Sequence, residues 1–157
     1  MTDQDSQGRQ ETPLERADRN WDELLGELRV TQTGVAILFS VLLTVPFSAR
    51  FDDVTGFQRD VYLAALGLSA STTVTLIAPV ATHRLMFRKG LKEQVVLLSN
   101  RLAVIGLGLL CLTLGAVLLL VTDVVLSRPV AVVLSLAFTV GTALLWALPA
   151  VLARRSS

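Results

Sequence analysis

One histidine, His83, one cysteine, Cys111, and 13 carboxylates are the groups in these 157 residues best suited to metal binding, nucleophilic attack or acid–base work. They are not assembled for it. His83 stands beside Arg84 with no second histidine, cysteine or clustered carboxylate to complete a ligand set. Cys111 lies in an uninterrupted apolar stretch, the setting of an inert thiol rather than a reactive one. No serine–histidine arrangement, carboxylate pair or phosphate-cradling glycine loop accompanies them. The sequence predicts no enzyme, no metal and no cofactor.

The distribution of charge is more informative. Hydrophobic residues make up 52% and charged residues 17%, with a mean hydropathy of +0.61. That charged fraction is below the roughly 25% of soluble domains. A net charge of +1 and a single cysteine disfavour a nucleic-acid partner and a disulfide scaffold. Between Arg29 and Arg50, Asp60 and His83, Arg101 and Asp123, and Arg128 and Arg154, the ionisable side chains are Tyr62 and Cys111 alone. Each gap can cross a hydrocarbon slab of about 30 Å as a helix rising ~1.5 Å per residue. The expected fold is all-α, an integral membrane four-helix bundle with spans near 30–47, 61–82, 102–122 and 130–152. Some thirty hydrophilic, acid-rich residues precede the first span, so it reads as a retained helix and not as a secretory signal.

Arginine and lysine set the orientation. Eleven lie before span one (Arg9, Arg16, Arg19, Arg29), between spans two and three (Arg84, Arg88, Lys89, Lys92, Arg101) or at the end (Arg154, Arg155). Three, Arg50, Arg59 and Arg128, lie on the other side. Both termini are therefore expected in the cytoplasm. Phe47, Phe51, Phe57 and Tyr62 fall where an outer aromatic belt would stand, and Trp146 toward the inner one.

The helix carrying span one starts well before it. Residues 1–11 read as a disordered polar tail. Thr12-Pro13-Leu14-Glu15 then has the form of a capping box with proline at the first helical position. Leu14, Ala17, Trp21, Leu24, Leu25 and Leu28 recur at spacings of three and four, so residues 12–29 form a cytoplasmic amphipathic helix that continues into the first span. The six acids of residues 11–29 oppose five bases in the 83–101 loop, where Gly90 marks a turn. Trp21 with Arg88, Lys89 and Lys92 are the candidate cytoplasmic interaction residues. Docking of the arm on the loop competes with plain positive-inside contact of the loop with lipid headgroups.

Within the spans, Gln32 is the most polar side chain, flanked by Thr31 and Thr33. Gly67, Ser71 and Thr75, followed by Ala78 and Thr82, form a stripe of small residues along span two. Both features are expected to join helices, by hydrogen bonding and close approach, with a polar conduit as the alternative. Pro79 and Pro149 withdraw backbone donors and leave the carbonyls of Thr75 and Leu145 to find other partners. Arg29-x4-Gly34 and Arg101-x4-Gly106, then Pro79-x4-Arg84 and Pro149-x4-Arg154, recur at offsets of 72 and 70 residues, the pattern of two parallel helical hairpins.

Glu11 through Trp21, Glu27-Leu28-Arg29-Val30 with Gln32-Thr33-Gly34, Gln58-Arg59, Ala78-Pro79-Val80-Ala81 with His83-Arg84, and Asp123-Val124-Val125-Leu126 form a distinctive set. Over roughly residues 11–150 the chain resembles a family of small four-helix membrane proteins of high-GC Gram-positive bacteria, a domain of unknown function. The resemblance implies a bacterial plasma-membrane location and supplies no activity and no functional residues. The leading expectation is a non-enzymatic scaffold or regulatory subunit. Its partners would be the lipid bilayer, further copies of itself, and a cytoplasmic or membrane protein. The alternative is a small oligomeric transporter or channel. The absence of ionisable groups near mid-span weighs against ion-coupled transport.

Overall fold

The computed structural model describes residues 13–49, 51–86 and 92–155, with side chains described for 19, 25–49, 51–81 and 98–148. Four α-helices account for nearly all of it: α1 (Pro13–Thr44), α2 (Gly56–Met86), α3 (Lys92–Val125) and α4 (Arg128–Arg155). There is no strand among the described residues. All four helices are long and apolar enough to cross a membrane, over Leu25–Phe47, Gly56–Ala81, Leu98–Val125 and Arg128–Leu148. In hydrocarbon only a helix satisfies every backbone group within its own segment, so apolar stretches of this length have no competing structure.

The helices overrun the expected spans. α1 runs unbroken from Pro13, α2 starts at Gly56 and continues to Met86, and α3 already begins at Lys92. Charged flanks stop hydrophobicity but do not stop backbone hydrogen bonding. Thr12 and Gly90, expected as cap and turn, and Arg88 and Lys89 lie outside the described residues, as do the side chains of Trp21 and Lys92.

α1 gives way at Thr44 to a 3₁₀ turn, Val45–Phe47, and a second turn, Phe51–Asp53, leads to α2. Pro46 explains the break, since its nitrogen cannot donate to the carbonyl of Leu42 one turn back. α2 accommodates Pro79 without ending. The start of α2 is capped reciprocally. The Thr55 N–H donates to Gln58 Oε1 at 3.0 Å, and the Gln58 N–H donates to Thr55 Oγ1 at 3.3 Å. This is a capping box, satisfying two otherwise orphaned donors.

Packing centres on the α2–α3 pair. α1 lies mainly on α2, α4 packs on α3, and the described parts of α1 and α4 do not touch. Leu28, Val35, Leu76 and Ala103 form a buried cluster joining α1, α2 and α3, with Leu110 against it. Toward the short turns, Leu42, Tyr62 and Ala65 form a second cluster, joined by Leu38, Phe51, Val117 and Leu120. The inward face of α2 carries Tyr62, Ala65, Ser69, Thr72, Leu76 and Pro79, all buried.

Candidate functional site

The polar side chains inside the bundle occupy three levels. At the first, toward the chain termini, Gln32 Nε2 of α1 donates to the Leu76 carbonyl of α2 at 2.7 Å. Leu76 lies three residues before Pro79, where a proline ring disturbs the helical ladder. The sequence pointed to the Thr75 carbonyl as the one needing a partner, and the amide serves its neighbour. A comparable contact, here at the carbonyl four residues before a proline, stands at the other end of this helix pair. The Tyr62 hydroxyl of α2 donates at 3.1 Å to the Leu42 carbonyl, the group that Pro46 leaves without a donor. Each helix therefore supplies a side-chain donor to a carbonyl beside the other's proline.

At the second level α2, α3 and α4 exchange shorter-range contacts. The Thr72 and Thr113 hydroxyls lie 3.3 Å apart, while each is also within donating distance of its own helix, Thr72 to the Leu68 carbonyl and Thr113 to that of Leu109. A hydroxyl has one proton, so only one of the pair can donate across the interface at a time. Ser135 Oγ donates to the Gly115 carbonyl at 2.7 Å, and Cys111 Sγ to the Thr139 carbonyl at 3.5 Å. Gly115 permits this approach, because a Cβ there would run into Thr139 Oγ1 and lie 3.4 Å from its Cβ. Gly106 plays the same part under Leu76, whose Cγ would be 2.9 Å from an added Cβ. Ser69 Oγ and Ser99 Oγ are buried without a hydrogen-bond partner.

The third level, beside the short turns, has the strongest electrostatics. Asp123 of α3 has a side chain 3% exposed. Its Oδ2 accepts from Gln58 Nε2 at 2.9 Å and its Oδ1 from Arg128 Nε at 3.2 Å. The Arg128 guanidinium also lies 4.2 Å above the ring of Phe57. Gln58 is thus used twice, its carbonyl oxygen in the α2 cap and its amide on Asp123. This clasp ties the starts of α2 and α4 to the end of α3. The sequence offered one overlooked signal for it: Thr55-x-x-Gln58 is itself a capping-box pattern.

The aromatic residues expected as an outer belt are mostly engaged internally. Phe51 and Tyr62 meet edge to face at 5.4 Å and 76°, and Phe57 sits beneath Arg128. Phe47 remains exposed.

The small-residue stripe starts on the outward face of α2. Gly67 has nothing within 4 Å of where its Cβ would be, and Gly67 and Ser71 are both exposed. Within the chain they join no helices. Thr75 turns partly inward, its Cγ2 near Gly106. Ser71 donates to the Gly67 carbonyl and Thr75 to that of Ser71, both at 2.8 Å, so neither hydroxyl needs a neighbouring helix. Gly34 and Gly106, matched by the internal repeat, also differ: nothing lies near a Cβ at Gly34, whereas Gly106 is packed under Leu76.

The chain's residues 10–150 match the model of the family of unknown function DUF6328. The chain belongs to that family. No curated protein and no solved structure matches this family member. Its polar interior joins helices at each level, and no group of three or more histidine, cysteine or acidic side chains that could hold a metal occurs among the described residues.

Proposed function

We propose that this protein is a multi-pass component of a bacterial plasma membrane with both termini in the cytoplasm, acting as a non-enzymatic scaffold or regulatory subunit. The observation that carries this is the use of its interior polarity. Gln32, Tyr62, Ser135 and Asp123 are each committed to a hydrogen bond between helices. Such a bundle holds a shape and presents surfaces. The eleven-to-three distribution of arginine and lysine supports the orientation. The N-terminal part of α1, an acidic helix facing a basic loop in sequence, is the segment this reading assigns to a cytoplasmic partner.

Two measurements test it. In a Cys111→Ala background, a cysteine at Thr55 should react with an impermeant reagent on intact cells and one at Ser6 should not; the reverse pattern overturns the orientation. Affinity purification in mild detergent should retain a protein that is lost on reversing Asp22, Glu23 and Glu27 to lysine. The transporter or channel reading gains from the exposed Gly67–Ser71 face, which an oligomer could enclose. Ion flux through the reconstituted parent that disappears in Ser71→Leu would replace the scaffold with a conduit.

A further inference from the structure

From Leu25 to Phe47, α1 buries one face with a period of seven residues. Leu28, Val35 and Leu42 are buried, the residues three and four places after each are half-buried, and all others from Gly26 onward are exposed. Leu25, itself half-buried, already fits this pattern as the residue four places after Trp21. The helix is unbroken back to Pro13, so the same period carries its inward face beyond the apolar span that starts at Leu25. Counted back by sevens from Leu28, that face falls on Trp21 and Leu14, and from Thr31 on Leu24 and Ala17. No charged residue interrupts it.

α2 and α3 overrun their spans on the matching sides. The buried positions Thr72, Leu76 and Pro79 advance by four and three, steps that next reach 83 and 86, the last turn of α2. On α3, Ser99, Ala103 and Gly106 step back in the same way to 96 and 92, its first turns. Gln32 meets Leu76, so eight residues back on α1 and eight onward on α2 set Leu24 level with position 84. Ser99 lies one turn before Ala103, which clusters with Leu28, and is therefore near the level of Leu24; it is 0% exposed. The bundle is still closed where the N-terminal arm leaves the span.

We propose that the bundle continues past the membrane as a three-helix head, in which the last turn of α2 and the first turns of α3 of the same chain cover the apolar face of residues 14–24. The cover extends an interface that α1 already makes with these two helices. Charge suits it as well: residues 83–101 carry five bases and one acid, residues 11–29 six acids and three arginines. Water drives the closure outside hydrocarbon, since a tryptophan alone buries about 150–250 Å². The head needs no cytoplasmic partner, and it limits the partner of the scaffold reading to outward positions, among them Asp22, Glu23 and Glu27.

The test is crosslinking of the full chain in phospholipid vesicles, in a Cys111→Ala background, with a short bismaleimide. The pair Leu24→Cys with His83→Cys should join within one chain, seen as a shift in gel mobility at unchanged mass of the polypeptide. The pair Glu23→Cys with His83→Cys should not. Equal crosslinking of both pairs, or a product of doubled mass, overturns the proposal, the second by placing another copy on the seam. A readout that leaves the seam intact uses Trp146→Phe, where Trp21 is the single tryptophan. Its fluorescence should resist quenching both by iodide in the water and by brominated phosphatidylcholine in the bilayer. Strong quenching by iodide shows an open arm and strong quenching by the lipid an arm lying on headgroups; either overturns the head. Affinity purification that retains no partner would overturn the scaffold reading and leave these results standing.

Discussion

The hairpins α1–α2 and α3–α4 are matched by the sequence repeat, yet different physics holds each together. α1 and α2 are stitched by two long-reaching donors, Gln32 and Tyr62, each aimed at a carbonyl beside a proline. α3 and α4 are held by close approach: Gly115 lies against Thr139, and the short side chain of Ser135 reaches the Gly115 carbonyl. At one end Asp123 bridges the two hairpins through Gln58 and closes the second hairpin through Arg128. The difference teaches how a bundle of helices apolar enough to cross a membrane uses its few polar atoms. Without a hydrophobic drive between helices, association depends on van der Waals fit and interhelical hydrogen bonds. Both hairpins use such bonds, and the second adds the close approach at Gly115.

Overpacking the close-approach seam should have the largest effect. Gly115→Leu would drive a branched side chain into Thr139, and overpacking of this kind costs about 1–3 kcal/mol, with this site at the upper end because the obstacle is a stiff β-branched residue beside backbone. The melting temperature in detergent should fall accordingly; an unchanged value would show that α4 is not held at Gly115. Asp123→Ala comes next. It leaves the Gln58 amide without its acceptor, and a hydrogen bond to a charged group contributes about 1.5–3 kcal/mol, whereas the half-exposed Arg128 guanidinium turns to solvent at little cost. Asp123→Asn should lose less, since it keeps an acceptor. If the two variants melt alike, the carboxylate charge is irrelevant.

Gln32→Leu should be milder, near the average of about 0.6 kcal/mol for intramembrane hydrogen bonds. A double-mutant cycle with Pro79→Ala sharpens the point. With the proline removed the Leu76 carbonyl regains an undistorted helix, so the penalty for losing Gln32 should shrink; perfect additivity would sever the link between them. Smallest of all, Gly67→Leu should stay within about 0.5 kcal/mol of the parent, as for other exposed sites away from special features. A large loss of stability there, or a change in oligomer size, would show that the outward face of α2 is covered by another copy.

Much of this architecture is determined by charge placement alone. Four long gaps without charged side chains require four helices, since no other open-ended structure satisfies its own backbone in hydrocarbon. Gln32 is conspicuous for the same reason, because an amide in such a gap demands a partner. What the sequence could not decide is which side of each helix faces inward. In a soluble protein the polar face marks the outside, but a helix apolar enough to cross a membrane is apolar all round, and an outward hydroxyl such as that of Ser71 is satisfied by its own helix's carbonyl. The two stripes of α2, Gly67–Ser71 and Ser69–Thr72–Leu76, therefore look alike in one dimension. Only the position of α3, with Gly106 beneath Leu76 and Thr113 beside Thr72, makes the second the core and the first the surface. The pairing of Gln58 with Asp123, 65 residues apart, was likewise settled by tertiary packing, which brings the start of α2 beside the end of α3 and allows a buried carboxylate to be satisfied there.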